Sequence, residues 1–256
     1  MDSPSPLPFQ PSDLYGNWLD LPLDLTSSIL RRLDTIKILT SAQMVCLHWR
    51  NVCKDASMWH TLNMGHWDSW RHLLNCVYRK ICRRAFYLSR GQLVRIEVGR
   101  FCDENLLKYI TESSSELRYL GVVNWCFKIS DKELSEIAAN IPLLEELEIS
   151  YCRLITENFL KVVGHNCSHS KSLKLRREVW GDGPFEECDR WAVAIAKNML
   201  GLVRLQPDGN SLTNDGVQVI LKGCPHLQSL ELRHCRYVTK KGEFERWCSQ
   251  QVRNLQ

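Results

Sequence analysis

Residues 144–167, LEELEISYCRLITENFLKVVGHNC, combine two different apolar spacings within one short segment. Leu144, Leu147 and Ile149 stand at positions i, i+3 and i+5. That spacing fits no helical stripe but suits a short strand entered from a turn, because alternate residues of a strand point to the same face. In the matching segment one unit earlier, Leu134 and Ile137 have helical spacing. The segment therefore predicts a strand, a turn that carries a cysteine, and a helix.

The same pattern recurs along the chain. Residues 117–142 and 227–242 align with it, and Cys126 and Cys152 lie 26 residues apart. A period of about 20 to 29 residues is typical of leucine-rich repeats. Because a single unit cannot cover its own apolar face, neighbouring units must stack, with a parallel sheet inside and helices outside. We expect six units, which begin near Leu93, Leu117, Leu144, Ser170, Leu202 and Leu227.

Two of these units are irregular. In the fourth, Ser170 stands where a leucine is expected, and residues 177–189 lengthen the turn after the strand. In the fifth, Gln206-Pro207 replaces the end of the strand. Insertions of this kind map to one face of a solenoid, often the binding face. The alternative is that these irregular segments are bulges without a function.

The N-terminal quarter of the chain follows a different pattern. Four of the nine prolines fall within the first eleven residues, which predicts a flexible arm over residues 1–16. Beyond the arm, apolar stripes with spacings of three and four residues predict a compact helical domain over residues 17–64. The first stripe comprises Leu25, Ile29 and Leu33, and the second comprises Ala42, Val45, Trp49, Val52 and Ala56.

A connecting helix is predicted between the helical domain and the repeats, over residues 65–92. It contains the basic residues Arg79, Lys80, Arg83 and Arg84. This cluster could serve nuclear import or nucleic-acid binding, but apolar residues interrupt it, so we interpret it as a solvated basic face. One side of the helix is expected to carry Trp70, Leu73, Leu74, Val77, Ile81 and Phe86.

Composition excludes several classes of protein. A formal net charge of +4 over 256 residues is too mild to indicate a nucleic-acid partner by itself. No run of about 18 apolar residues is present, so no membrane-spanning helix is expected. The first residues have neither a basic region nor an apolar core, so they do not predict a secretory signal. We therefore expect a protein of the nucleus or cytoplasm, where its 12 cysteines stay reduced.

The stretch 44–59, MVCLHWRNVCKDASMW, is dense in residues that bind metals, and it could be a metal site, a redox pair or a docking face. On a helix Cys46 and His48 point apart. Cys46 and Cys53 lie about 10 Å apart along the axis, which is too far for a disulfide. We therefore favour the docking face and predict that His48 faces water.

No metal or cofactor site is predicted elsewhere in the chain. The chain has no C-x-x-C pair and no glycine-rich phosphate loop. The cluster at 165–169, HNCSH, is interpreted as repeat packing, as are the cysteines of the repeated turns, Cys126, Cys152 and Cys235. No nucleophile elbow or other catalytic motif occurs, so no catalytic residue is assigned.

The order of residues in the helical domain resembles the F-box. Its series is Leu21-Pro22, then Ile29-Leu30, then V-C-L-H-W-R over 45–50, and finally Trp59. An F-box followed by cysteine-type leucine-rich repeats is similar to plant F-box/LRR-repeat proteins, which are substrate receptors of SCF ubiquitin ligases. The resemblance implies an α/β fold, with an N-terminal all-helical F-box followed by a short solenoid whose curved parallel sheet lies inside and whose helices lie outside.

The resemblance also implies a function without catalysis in this chain. The F-box would bind a Skp-type adaptor, which joins the cullin and RING subunits, while the repeats over 93–256 would hold a protein target. The alternative is a scaffold or regulatory protein that binds the adaptor without delivering targets. Some adaptor-facing residues could instead pack the F-box core, and for Val45 both possibilities stay open. By the resemblance, the adaptor-facing residues are Leu21, Pro22, Leu25, Ile29, Leu33, Val45, Trp49 and Trp59.

Target binding would fall to the residues that flank the inward-pointing leucines of the strands. These residues put an acidic strand beside a basic one. An ordinary solvated repeat surface would look the same, so that alternative stays open. The predicted target-facing residues are Glu146, Glu148, Lys174, Arg176, Arg204, Gln206, Glu231 and Arg233.

Overall fold

The computed structural model describes residues 21–65, 75–123, 129–151, 156–176, 189–209, 211–239 and 242–256. The predicted arm over 1–16, most of the insertion over 177–189, and the turn cysteines Cys126 and Cys152 lie outside these residues. Of the predicted connecting helix, Trp70, Leu73 and Leu74 also lie outside them.

Short helices make up the start of the described chain. They are α1 (Leu23–Leu30), α2 (Thr35–Lys37), a π-helical turn (Ile38–Ala42), α3 (Gln43–Val45), α4 (Leu47–Val52) and a 3₁₀ turn (Ala56–Trp59). Side-chain caps fix their starts: Asp34 accepts from the Lys37 amide, and Asp55 accepts from the Ser57 amide. Caps of this kind satisfy amides that the helix itself leaves unpaired.

The predicted second stripe is interrupted at Cys46, which corrects the continuous helix face expected from its spacing. Cys46 has an extended backbone, with φ of −158° and ψ of 168°, so α3 ends there. Its Sγ accepts from the Trp49 amide at 3.4 Å and caps α4. Because of this break, Ala42 and Val52 are buried while Val45 is 62% exposed.

An eight-stranded parallel sheet follows the helices, with its strands in sequence order. The strands are β1 (Thr61–Met64), β2 (Arg95–Val98), β3 (Tyr119–Val122), β4 (Glu146–Ser150), β5 (Ser172–Arg176), β6 (Arg204–Asp208), β7 (Ser229–Leu230) and β8 (Asn254–Leu255). The helices that alternate with them are α5 (Asn75–Ser89), α6 (Glu104–Glu112), α7 (Asp131–Ala139), α8 (Glu157–Asn166), α9 (Arg190–Asn198), α10 (Asn214–Gly223) and α11 (Glu243–Gln251).

This arrangement confirms the predicted α/β fold, a helical module followed by stacked strand–helix units. In β4, Leu147 and Ile149 are buried, while Glu146 and Glu148 stay partly exposed. The leucine face therefore packs against the helices, as the i, i+3, i+5 spacing predicted. We call the opposite face of the sheet the open face.

The structure adds one unit ahead of the six predicted from the sequence. Strand β1 lies within the range assigned to the helical domain and pairs with β2, and α5 packs on β1. The Thr35 hydroxyl accepts from the Asn63 amide at 3.0 Å, so α2 covers the edge of the sheet. The helical module and the repeats consequently share one hydrophobic core.

The buried side of α5 also differs from the predicted one. The structure buries Tyr78, Cys82 and Ala85 together with the expected Phe86, and it leaves Val77 exposed. The reason is that the helix packs through the Tyr78 ring, whose centroid lies 6.1 Å from that of Phe101.

Pro207 does not end its strand, contrary to the sequence-based expectation. Strand β6 continues through Pro207 to Asp208, and Pro207 is buried opposite Leu175. The Leu205 carbonyl accepts a hydrogen bond from the Glu231 amide, so Leu205 bonds on the β7 side of β6. Pro207 lies two residues further along and therefore faces the same side. Because β7 ends at Leu230, the proline removes no ladder hydrogen bond.

The buried cysteines in the described part of the chain pack the repeats. The Cys235 thiol donates to the Pro207 carbonyl of the preceding unit at 3.0 Å, which confirms the packing role predicted for it. Cys167, within the HNCSH cluster, donates to the carbonyls of Ala138 and Ile141 at 3.6 Å. Burial raises the pKa of the Cys167 thiol to about 11, so it stays protonated. Among the described residues no group of three or more His, Cys, Asp or Glu could hold a metal ion.

Candidate functional site

The helical module exposes an unusual concentration of large apolar side chains. Half of the exposed large apolar side chains in the described residues fall between Leu23 and Leu47. Leu47 is 73% exposed and Leu25 is 50% exposed. A concentration of exposed apolar side chains makes this module the candidate interaction site. We define the module surface as Leu23, Leu25, Ile29, Leu33, Met44, Val45 and Leu47.

These side chains stay exposed because other residues of the same helices fill the core. On α1, Thr26 and Leu30 are buried, so Leu25 and Ile29 point the other way. The Thr26 hydroxyl is hydrogen-bonded to His48 Nε2 at 3.1 Å, which joins α1 to α4. His48 is thus partly buried and paired, which corrects the prediction that it faces water.

Six of the eight predicted adaptor-facing residues lie at the surface, and one packs partly into the core. Leu25, Ile29, Leu33 and Val45 belong to the module surface, Pro22 is exposed, and Leu21 is partly exposed. Val45 is exposed, so it does not pack the F-box core. Trp49 packs partly against the core.

Trp59 corrects the prediction, because it lies in the core. Its side chain is only 1% exposed, and its Nε1 donates to the Cys53 carbonyl at 2.9 Å. A side chain so enclosed has no area to offer a partner. We therefore assign Trp59 to folding and remove it from the contact set.

Sequence reasoning also missed three members of the module surface: Leu23, Met44 and Leu47. Each lies beside a stripe residue rather than on a stripe, so the periodicity that finds buried faces passed over them. The signal that could have identified them is an apolar residue on the polar side of a predicted helix.

The open face presents two rows of side chains that the strand register aligns across the sheet. One row runs through Arg95, Tyr119, Glu146 and Arg204, and the next runs through Glu97, Glu148, Lys174 and Gln206. Six predicted target-facing residues lie in β4, β5 and β6 and are at least partly exposed. Glu231 and Arg233 follow β7, and Glu231 is joined to Gln206 by a hydrogen bond.

Most of the charges on the open face are paired with one another. Lys174 Nζ lies 2.8 Å from Glu148 Oε1, and Arg204 lies 3.1 Å from Glu146 Oε1. Further along the sheet, Asp208 accepts from Arg176 Nε at 2.8 Å. The Arg204–Glu146 pair, which is exposed on both sides, contributes at most about 1 kcal/mol to stability. The open face is therefore electrically balanced, and its pairs can be exchanged for contacts with a partner.

Tyr119 occupies the middle of the first row, and sequence reasoning missed it. Its hydroxyl donates to Glu148 at 3.2 Å, and the Arg95 guanidinium carbon lies 3.4 Å from its ring centroid. Burial, with the nearby Glu148 and Glu97 carboxylates, raises the pKa of the Tyr119 hydroxyl well above its usual value. Gly121 makes room for the ring, since a Cβ there would lie 2.8 Å from the hydroxyl.

The chain is similar to known proteins over most of its length. Residues 18–64 match the family model described as F-box-like. Over 232 residues, the chain is 41% identical to F-box/LRR-repeat protein 9 of Arabidopsis thaliana, and the match covers 90% of this chain and 92% of that protein. The chain belongs to the F-box/LRR-repeat family. The resemblance drawn from the residue series is thereby confirmed.

Other members of the family differ in length from this F-box/LRR-repeat chain. F-box/LRR-repeat protein 23 of Arabidopsis thaliana is 39% identical, and the match covers 99% of this chain but only 56% of that protein. F-box protein SKIP19 of the same plant is 41% identical, over 93% of this chain and 76% of its own length. Within the described part of the F-box/LRR-repeat chain, no helix is long and apolar enough to cross a membrane.

Proposed function

We propose that this F-box/LRR-repeat protein is the substrate-recognition subunit of an SCF-type E3 ubiquitin ligase in the nucleus or cytoplasm. The module surface binds a Skp-type adaptor, which joins the chain to cullin and RING subunits, and the open face of the repeats binds a protein target. Such a receptor needs no catalytic residue. It raises the effective concentration of the target beside the ubiquitin-carrying enzyme.

The observation that carries the proposal is the exposed apolar cluster on the F-box. None of its seven side chains belongs to the buried core, yet burying a leucine side chain fully is worth about 1.5 to 3 kcal/mol. A partner that covered the module surface would gain this burial energy, which offsets the entropy that association costs. The family membership makes a Skp-type adaptor the partner that fits.

The open face supports target binding through its balance of charge. A target can replace ion pairs such as Lys174–Glu148 by its own carboxylates and amines, which keeps polar groups satisfied after water is excluded. Electrostatic complementarity of this kind adds more to specificity than to affinity. We therefore expect the eight predicted target-facing residues, with Arg95 and Tyr119, to select the target.

Reconstitution with purified subunits tests the proposal. We expect the full chain to co-elute with a Skp-type adaptor in size-exclusion chromatography, and the pair to recruit a cullin–RING complex. Proteins captured from plant extract by this assembly should become ubiquitinated when the conjugating enzyme is added. Absence of adaptor binding would refute the F-box part of the proposal. Adaptor binding without cullin recruitment would point instead to a scaffold or regulatory protein.

A further inference from the structure

Helix α5 carries the net positive charge of the whole protein. Its residues Asn75–Ser89 include four cations, Arg79, Lys80, Arg83 and Arg84, and no carboxylate. The formal net charge of all 256 residues is also +4, so the positive and negative charges of all other residues cancel. A charge concentrated in this way on one element creates a local field that attracts oppositely charged partners.

The solvent side of α5 presents this charge as a narrow stripe. Lys80, Arg83, Arg84 and Tyr87 are exposed and recur at spacings of three and four, so they share one helix face. The opposite face is buried through Tyr78 and Cys82 and its neighbours. We call Lys80, Arg83, Arg84 and Tyr87 the α5 stripe.

The α5 stripe differs from the open face because its cations have no acidic partner among the described residues. Within the part of the chain that the structure describes, none of Lys80, Arg83 and Arg84 lies within 4 Å of a carboxylate. Arg79, nearer the buried side, is paired with Asp103 at 2.9 Å. The stripe therefore offers charged donors that the described residues do not use in ion pairs.

Two tyrosines hold the arginines of the stripe in place. The Arg84 guanidinium carbon lies 5.7 Å from the ring centroid of Tyr87, which is 69% exposed. The Arg83 guanidinium carbon lies 5.4 Å from the ring centroid of Tyr109 on α6. Cation–π contacts orient a guanidinium without neutralising its charge, so less side-chain entropy is lost when it binds a carboxylate.

We infer that the α5 stripe binds an acidic segment of a protein partner, one rich in Asp and Glu. Lys80 and Arg84 are four residues apart on a helix, which separates them by about 6 Å along its axis. Alternate side chains of an extended peptide are about 6.4 to 6.8 Å apart. A peptide with a carboxylate at every second position therefore matches the stripe, and each arginine can grip one carboxylate with two donors.

Nucleic acid fits the stripe less well. Proteins that bind duplexes tightly contact about six to ten phosphates, more than three exposed cations can reach. An arginine also lies over one face of each tyrosine ring, which reduces the surface available for stacking bases.

Fluorescence anisotropy with the full chain tests this inference. The probe is a fluorescein-labelled peptide of alternating Glu and Gly, and its reference is the same peptide with Gln in place of Glu. We expect the Glu peptide to bind, with an affinity that falls as salt is raised, and the Gln peptide to bind at least tenfold more weakly. The double substitution Lys80→Glu with Arg84→Glu should weaken binding of the Glu peptide by at least tenfold.

The matched control reverses two exposed lysines of the later helices, Lys197→Glu with Lys222→Glu, which changes the net charge by the same amount. We expect this control to bind the Glu peptide within twofold of the unchanged chain. Equal weakening in both double variants would overturn the inference, because it would show attraction to net charge rather than to the stripe. Tighter binding of labelled oligouridine, or of vesicles containing phosphatidylserine, would overturn it in favour of those ligands. The test needs no adaptor, so its outcome is independent of the proposed ligase function.

Discussion

Replacing Leu25 and Leu47 together by Asp is expected to weaken binding of a Skp-type adaptor by at least about 100-fold, because interface anchors are each worth about 2 kcal/mol or more. Both side chains are at least half exposed in the free chain. Docking would bury them, and a carboxylate in an apolar interface loses its hydration without gaining a partner. The free energy of unfolding of the isolated chain should change little, since neither residue packs in the core.

Isothermal titration of the adaptor into wild-type and variant chains measures this effect. The matched control is Leu200→Asp with Val219→Asp, two exposed apolar residues of the repeats, which should bind the adaptor within about twofold of wild type. Adaptor binding that survives the Leu25 and Leu47 substitutions in a folded chain would show that the module surface is not the contact.

Trp59→Ala is expected to lower the free energy of unfolding by about 3 to 5 kcal/mol, the usual cost of removing a buried aromatic side chain. The indole is enclosed by the shared core of the F-box and the first repeat unit, and its loss also leaves the Cys53 carbonyl without its donor. Domains are stable by only about 5 to 15 kcal/mol in total, so this variant should be marginally folded.

Urea unfolding followed by circular dichroism compares Trp59→Ala with Trp59→Phe, which keeps most of the volume and should lose less stability. Adaptor affinity measured under folding conditions separates the two possible roles of this tryptophan. A variant that unfolds at the wild-type urea concentration but no longer binds the adaptor would restore Trp59 to the contact surface.

The repeated part of the fold could be predicted because burial leaves a regular mark on the sequence. Residues such as Leu147 and Ile149 must recur wherever a strand meets the helices, so the period of the units and the parallel sheet follow from spacing alone. Strand β1 was missed because its four residues fall inside the range 17–64 that the sequence assigned to the helical domain. Only its pairing with β2 identifies it as the first strand.

The exposure expected of the adaptor-facing residues agrees with the structure where it follows from local structure and fails where it depends on tertiary packing. Trp49 and Trp59 are both aromatic members of one series, yet Trp59 is closed over by the first repeat unit, and no local pattern contains that information. Cys46 provides a second example. Helical spacing continues through it, but its thiol caps a new helix and turns Val45 outward.

The pairing of charges on the open face also could not be predicted from the sequence. The prediction placed acidic and basic residues on adjacent strands, but which carboxylate meets which cation depends on register. Arg204, for example, reaches across β5 to Glu146. Only the aligned strands show that this face is balanced while the excess charge lies on α5.

Hydrogen–deuterium exchange of the full chain, alone and saturated with a Skp-type adaptor, tests the central claim most directly, namely that the F-box holds the adaptor while the repeats stay free for a target. We predict that the adaptor slows amide exchange within residues 21–52, most strongly in α1 and α4, and leaves β4, β5 and β6 unchanged. Slowed exchange confined to those three strands, with no change over residues 21–52, would contradict the account.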